Sequence, residues 1–240
     1  MKWSKLSHIG LVRKNNEDNC CVCDDLRLLA VADGMGGHKA GEIASRLALE
    51  ELTKYIRSNI SDLENDPAGT LKKAIEYANS IVFGYAQKDS DKFRGMGTTV
   101  TAALPREDRV YIAHVGDSRA YLVGKNGIKI LTIDHSLVNE LVKSGGITEQ
   151  EAENHPQKNV LTRAIGTSSC VDVDVSEEPV TRGDILILCT DGLSNLVDLD
   201  EIRRVAGEDE SLRDRARHFI DRALERGGDD NITVVLYQVE

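Results

Sequence analysis

Apolar positions along the chain fall into two patterns, short unbroken runs and longer stretches with helical spacing. Leu26 to Ala32 (LRLLAVA), Arg109 to Val115 (RVYIAHV), Asp184 to Thr190 (DILILCT) and Ile232 to Val239 (ITVVLYQV) have strand length and strand composition. Gly41 to Ile60 puts Ile43, Leu47, Leu52 and Ile56 on or near one stripe, which predicts an amphipathic helix. Ala68 to Gln87 repeats that pattern with Leu71, Ala74, Ile75, Ala78, Ile81, Val82 and Tyr85. A late helix pair is predicted over Asp198 to Ala206, which opens with Asp-x-x-Glu, and over Ser211 to Arg226, which ends at Gly227-Gly228. The order is β segments, two helices, many β segments, two helices and a last strand. It predicts an α+β chain in which helices cover antiparallel sheets, rather than alternating βαβ units.

Residues 136 to 165 break the pattern, with Gly145-Gly146, a Thr148-x-x-Glu151 helix start and His155-Pro156 between strand regions. They read either as a mobile flap or as a plain surface excursion.

The four strand-like runs share a chemical feature. Three stop at an acid beside glycine: Asp33-Gly34, Gly116-Asp117 and Asp191-Gly192. The fourth starts after Asp230-Asn231. In an antiparallel pair one strand's end lies beside its neighbour's start, so the four acids are expected to gather on a single sheet edge. Taken singly, Asp-Gly and Asp-Asn pairs are ordinary turn chemistry. Four such acids together repel one another unless a cation neutralises them, and an all-oxygen set suits Mg²⁺ or Mn²⁺ rather than zinc. Near the N-terminus Arg13 precedes Glu17 and Asp18 in a loop between predicted strands. It reads either as a surface charge or as a planar fork for phosphate.

Composition narrows the class. At 240 residues, 40% hydrophobic and 29% charged, the chain is expected to form one globular domain over 1–240. A net charge of −10 argues against general nucleic-acid or membrane-surface binding. With no apolar signal core at Met1 to Leu6 and no apolar run of membrane length, the expected location is the cytoplasm. The five cysteines, 20, 21, 23, 170 and 189, form neither an even disulfide set nor zinc spacings, and Cys20, Cys21 and Cys23 read as small buried thiols in a strand. Cys21 and Arg27 match the Cys-x5-Arg spacing of cysteine-dependent phosphatases. The intervening residues hold no glycine and two aspartates, which would repel phosphate. Asp172-Val-Asp174 lies in an alternating stretch and reads as a solvated strand face.

Eight spaced motifs then occur in order over essentially the whole chain: Arg13-Lys-Asn-Asn-Glu17-Asp18, Asp33-Gly-Met-Gly-Gly-His38-Lys-Ala-Gly41-Glu42, Gly95-Met-Gly-Thr-Thr99, Val115-Gly-Asp117-Ser-Arg119, Asp134-His-Ser136, Leu161-Thr-Arg-Ala-Ile-Gly166, Thr190-Asp191-Gly192 and Asp229-Asp230-Asn231. Together they resemble the metal-dependent serine/threonine phosphatases of the protein phosphatase 2C family in their compact bacterial form.

The resemblance implies a four-layer αββα sandwich, two antiparallel sheets face to face with helix pairs outside. It implies two tight Mn²⁺ or Mg²⁺ ions. Asp33 would bridge them, Asp191 and Asp230 would complete the first, and the Gly34 carbonyl would help hold the second. Glu17, Asp18 and Asn231 would act through bound waters, Asp117 would contribute to a third, weaker ion, and Arg13 would contact substrate phosphate. Water bridging the ions would attack phosphorus directly, releasing phosphate from phosphoserine and phosphothreonine in proteins and opposing a serine/threonine kinase. A monomer is expected. Met35 stands where many eukaryotic relatives carry a histidine proposed as general acid. His38, in the same glycine-rich turn, reads as a proton donor to the leaving alkoxide, as a substrate contact or as a structural loop histidine, and the alternative proton donor is a metal-bound water. The rival classes are a non-catalytic binding relative and a phosphodiesterase or nuclease, the latter disfavoured by the lack of a basic groove.

Overall fold

The structure, a computed structural model, describes residues 1–36, 40–88, 93 and 95–240. Strands whose faces are both covered carry apolar residues at every position, which is why the central strands here read as unbroken runs rather than as alternation. One five-stranded antiparallel sheet has the order β1 (Lys2–His8), β12 (Ile232–Gln238), β11 (Ile185–Cys189), β8 (Arg119–Gly124), β9 (Gly127–Ile130). The other has the order β10 (Asp174–Pro179), β7 (Arg109–Val115), β6 (Val100–Pro105), β3 (Leu28–Ala32), β2 (Asn19–Cys23). A ribbon of β4 (Gly34–Met35) and β5 (Gly97–Thr98) completes the described strands.

Successive residues of one strand serve different layers. Leu28, Ala30 and Ala32 point into the core beneath α1 (Ala40–Ser58) and α3 (Pro67–Ala86), while Leu29 and Val31 point into the core between the sheets. On the other sheet Ile187, Cys189, Val234 and Leu236 face α7 (Leu199–Ala206) and α8 (Leu212–Glu225). There Leu186, Leu188, Val235 and Tyr237 meet Leu29 and Val31. Three apolar cores separate four layers, so the expected αββα sandwich is present.

The predicted helices end close to where the sequence placed them. Ser211 caps α8 by accepting from the Asp214 N–H, and Asp198 caps α7 by accepting from Glu201 N–H at 2.9 Å. The first helix stops at Ser58 rather than Ile60 because Asn59 leaves helical geometry and its Nδ2 donates to Tyr55 O at 2.7 Å, taking a last-turn carbonyl. A short helix with no sequence prediction, α2 (Ile60–Asn65), follows, and Asp66 with Pro67 at the first position starts α3.

The 136–165 segment holds α4 (Leu137–Lys143) and α5 (Glu149–Glu153), the latter with a complete Thr148/Glu151 capping box. Between β11 and α7 lies the single turn α6 (Asp191–Ser194). Cys20, Cys21 and Cys23 do lie in a strand, but they are half-buried rather than buried, because β2 is an outer strand of its sheet. Asp174 is not simply solvated, since Arg163 Nη1 donates to it at 2.7 Å.

Candidate metal centre

The four strand-end acids do gather, but not on one sheet edge. Asp33 follows β3 and Asp117 follows β7 in one sheet, whereas Asp191 follows β11 and Asp230 precedes β12 in the other. They meet because the sheets stack face to face with those ends aligned. Within the second sheet the antiparallel pair Cys189↔Val234 brings the end of β11 beside the start of β12. There the backbones touch, since a Cβ on Gly192 would collide with Asn231 O. Between the sheets, the Asp33 and Asp191 carboxyls lie within hydrogen-bond reach of each other.

Each acid is held by local chemistry. The Asp33 N–H donates to Thr99 Oγ1 at 2.9 Å, and its carbonyl accepts from Thr98 Oγ1 at 2.7 Å and Thr99 N–H at 2.8 Å. Gly34 N–H donates to Glu17 O at 3.2 Å, and a Cβ at Gly34 would strike Gly41 O, so the Asp33-Gly34 turn can sit against the start of α1 only as glycine. Gly41 is constrained likewise, because its own Cβ would strike the Glu17 carboxylate. The buried Asp18 accepts at Oδ2 from Thr190 Oγ1 at 2.8 Å and from Thr233 Oγ1 at 2.6 Å.

Asn231 ties the N-terminal loop to β12. Its Oδ1 accepts from Glu17 N–H at 2.8 Å while Nδ2 donates to Ile9 O at 2.9 Å and Asn15 O at 3.0 Å. Its amide is thereby committed to backbone. Arg13 Nη2 donates to Asp230 Oδ2 at 2.7 Å from a half-exposed position.

Electrostatics show what this crowding costs. Burial, then the charges of Asp18, Asp191 and Asp117, push the Asp33 carboxyl well above the usual carboxylate range. Asp18 is pushed up to about 7 by burial, opposed by the two threonine hydroxyls and reinforced by Asp191 and Asp230. Asp117 is pushed up to about 8 by burial and then by Asp191 and Asp134. Asp191 is raised by burial and then by Asp230. At this centre two buried carboxylate oxygens, Asp18 Oδ1 and Asp191 Oδ1, have no hydrogen-bond partner among the described residues. Mutually repelling carboxylates with orphaned oxygens and an oxygen-only donor set fit hard divalent cations, which would supply both the missing partners and the missing positive charge.

Around this centre lie residues that the sequence pattern did not single out for a role. Thr190 and Thr233 hold Asp18; Thr190 opens the Thr190-Asp191-Gly192 motif without a role read from it, and the signal at Thr233 is a hydroxyl within an apolar strand run. Asp134 takes a bidentate pair from Arg119, with Nη2 donating at 2.7 Å and Nε at 2.9 Å. His135 Nδ1 accepts from Gly116 N–H at 3.1 Å, so its Nε2–H donates to Asp174 Oδ2 at 3.1 Å, anchoring the turn that carries Asp117. His38 lies outside the described residues. A cleft of about 570 Å³ opens beside Asp117 and Asp191, walled by α4, α5 and the α6–α7 turn, so the 136–165 segment borders the carboxylates.

Comparison with known proteins agrees with this geometry. Residues 10–236 match the family model described as protein phosphatase 2C. The chain is 42% identical over 233 residues to a serine/threonine phosphatase of Listeria welshimeri, covering 95% of this chain and 92% of that protein. The crystal structure of a bacterial serine phosphatase superposes with a TM-score of 0.94 at 36% identity, covering 100% of this chain and 98% of the other. The catalytic domain of the serine/threonine phosphatase PstP, crystallised with two manganese ions, gives a TM-score of 0.86 at 36% identity, covering 98% and 96%.

Proposed function

From its membership of the protein phosphatase 2C family, to which this chain belongs over residues 10–236, we propose how its own residues divide the work of hydrolysing phosphoserine and phosphothreonine in proteins. The chain is a metal-dependent protein-serine/threonine phosphatase. The observation that carries the reading of the site is the pair of buried oxygens on Asp18 and Asp191, without a partner among the described residues, within a nest of mutually repelling carboxylates.

Asp33, Asp191 and Asp230 are assigned to hold two tight divalent ions together with the Gly34 carbonyl, and the oxygen-only set favours Mn²⁺ or Mg²⁺. Asp117, farther along the first sheet, is assigned to a third and weaker ion. When bound, these cations neutralise the phosphoryl oxygens and acidify the attacking water. Glu17 and Asp18 orient solvent around the ions, and Asn231 acts by fixing Glu17. Arg13 spends one Nη on Asp230, which leaves Nε and its other Nη to take a phosphate oxygen while the pair holds the guanidinium in place. His38 or solvent is assigned to protonate the leaving alkoxide. No protein nucleophile enters this scheme. Cys21, part of the Cys-x5-Arg match, packs against Thr53 on α1, and its Cys23 neighbour, then burial, raise its thiol pKa.

β1 pairs with β12 along its full length, so both chain ends belong to the same sheet, which supports 1–240 acting as one catalytic unit. Among the described residues no helix is long and apolar enough to cross a membrane. A cytoplasmic monomer that reverses a serine/threonine kinase is the setting this reading implies. The test is turnover of phosphoserine and phosphothreonine peptides with and without Mn²⁺. Release of phosphate that returns on adding Mn²⁺ to chelated protein supports it, and undiminished turnover after exhaustive chelation and metal-free dialysis overturns it.

A further inference from the structure

The cleft beside the carboxylates has a charge pattern that the hydrolysis itself does not require. Its wall on α5 presents Glu149 and Glu153, four residues apart and so on one helix face, with the small Ala152 between them. Among the described residues neither glutamate has an ion-pair partner. The opposite wall, at the start of α7, presents Asp198, whose nearest cation, Arg226, is 4.0 Å away. The cleft's two bases do not balance these acids. Arg119 is already bound to Asp134, so among the described residues lining the cleft Lys158 is the cation with no acid of its own.

Cations at the centre would offset Asp117 and Asp191 and leave the far end of the cleft anionic. Glu151 takes no part, since its carboxylate accepts from the Thr148 N–H and hydroxyl in the capping box. The cleft begins at Asp117 and Asp191, so it lies next to a phosphoryl group placed at the centre and within reach of the residues that flank it.

We propose that the cleft receives the residues flanking the phosphorylated side chain and selects phosphopeptides with lysine or arginine there, with Glu149 and Glu153 as the selecting groups. The proposal rests on the phosphatase reading above. Exposed carboxylates contribute modestly one by one, so two of them acting on one or two basic side chains predict a preference of roughly three- to tenfold in kcat/KM. Raising the ionic strength to about 1 M, where the Debye length falls to about 3 Å, shrinks that preference.

The experiment compares phosphothreonine peptides that differ only in carrying Lys, Glu or Ala pairs before or after the phosphoresidue, with p-nitrophenyl phosphate as a substrate that has no flanks. The expected result is that Lys peptides exceed Glu peptides on at least one side. The double variant Glu149→Gln/Glu153→Gln should bring the ratio close to one. Asp62→Asn/Glu64→Gln, which removes the same charge from α2, should leave the ratio at its wild-type value. A ratio unchanged in the α5 variant, or lowered equally by the α2 variant, overturns the subsite while the phosphatase reading stands. Loss of all wild-type turnover in Mn²⁺, p-nitrophenyl phosphate included, overturns the phosphatase reading and the subsite together.

Discussion

The Thr233 hydroxyl donates to Asp18 Oδ2 at 2.6 Å, joining residues 215 positions apart in the chain. With its proton directed to the carboxylate, Thr233 Oγ1 accepts from Ser7 Oγ at 2.8 Å, and Ser7 in turn accepts from Asn16 Nδ2 at 2.8 Å. A chain of hydroxyls thus holds the buried Asp18 in place. Thr233→Val keeps the shape of the side chain and removes the donor. A hydrogen bond to a charged group contributes about 1.5–3 kcal/mol, so the variant should lose stability of that order and bind Mn²⁺ more weakly. Chemical denaturation and calorimetric Mn²⁺ titration read the two effects, and wild-type values for both would remove Thr233 from this role.

Asp33→Asn removes one charge from a site where burial and neighbouring acids already disfavour it. Turnover of a phosphopeptide should fall by about 10³-fold or more, on the scale of losing an electrostatic group central to phosphoryl transfer. The metal-free protein should meanwhile melt no lower than wild type, because a repulsive charge has gone. The combination is diagnostic: lost turnover together with a lowered metal-free Tm would mean that Asp33 is structural.

Arg13→Ala should raise KM more than it lowers kcat, since a guanidinium touching phosphate in both ground and transition states supplies largely uniform binding. The Arg13–Asp230 pair is half-exposed, so folding stability should change by less than about 1 kcal/mol. Steady-state kinetics decide the matter, and a kcat collapse at unchanged KM would place the role of Arg13 in the transition state alone.

Asp117→Ala should leave two tight metal ions bound yet slow the turnover of protein substrates, because Asp117 follows β7, two strands along the sheet from the β3 that carries Asp33, and is assigned the weaker ion. Calorimetric titration counts the tight ions while kinetics on a phosphopeptide read turnover. Loss of a tight site, or wild-type turnover, removes Asp117 from that assignment.

His114 sets an acid limit on stability. Thr101 Oγ1 donates to Ser118 O at 2.8 Å, so the His114 Nδ1–H donates to Thr101, and its buried Nε2 has no partner among the described residues. Burial first, and then His135, pull His114 down from 6.5 to about 4. Between those values the unfolded chain binds a proton that the folded chain refuses. Stability from this group is therefore present above about pH 6.5 and is lost as pH falls towards about 4, by roughly 3 kcal/mol in all. His114→Gln should flatten that window in urea unfolding measured across it. An unchanged difference between about pH 7 and pH 4.5 would show that other groups carry the acid sensitivity.

Much of this protein was legible in one dimension. The apolar runs ending at Asp33, Asp117 and Asp191 located central strands to within a residue or two, because strands covered on both faces need apolar side chains at every position. Helix starts were legible where the cap is local, as at Ser211 and at Thr148 with Glu151. The order of the acid-bearing motifs was enough to indicate the family and its metal chemistry.

Tertiary structure decided what depends on which strands stack. The acids come from two sheets rather than one edge, a fact set by face-to-face packing through Leu29, Val31, Leu186 and Val235, on which strand periodicity is silent. Likewise, only the fold pairs Asp18 with Thr233, commits Asn231 to Ile9 and Asn15, and sets α5 beside the carboxylates. Periodicity and caps report on neighbours a few residues apart. Contacts across two hundred residues arise when separately patterned layers bury their apolar faces against one another, and that burial, more than any local motif, turns scattered aspartates into one centre.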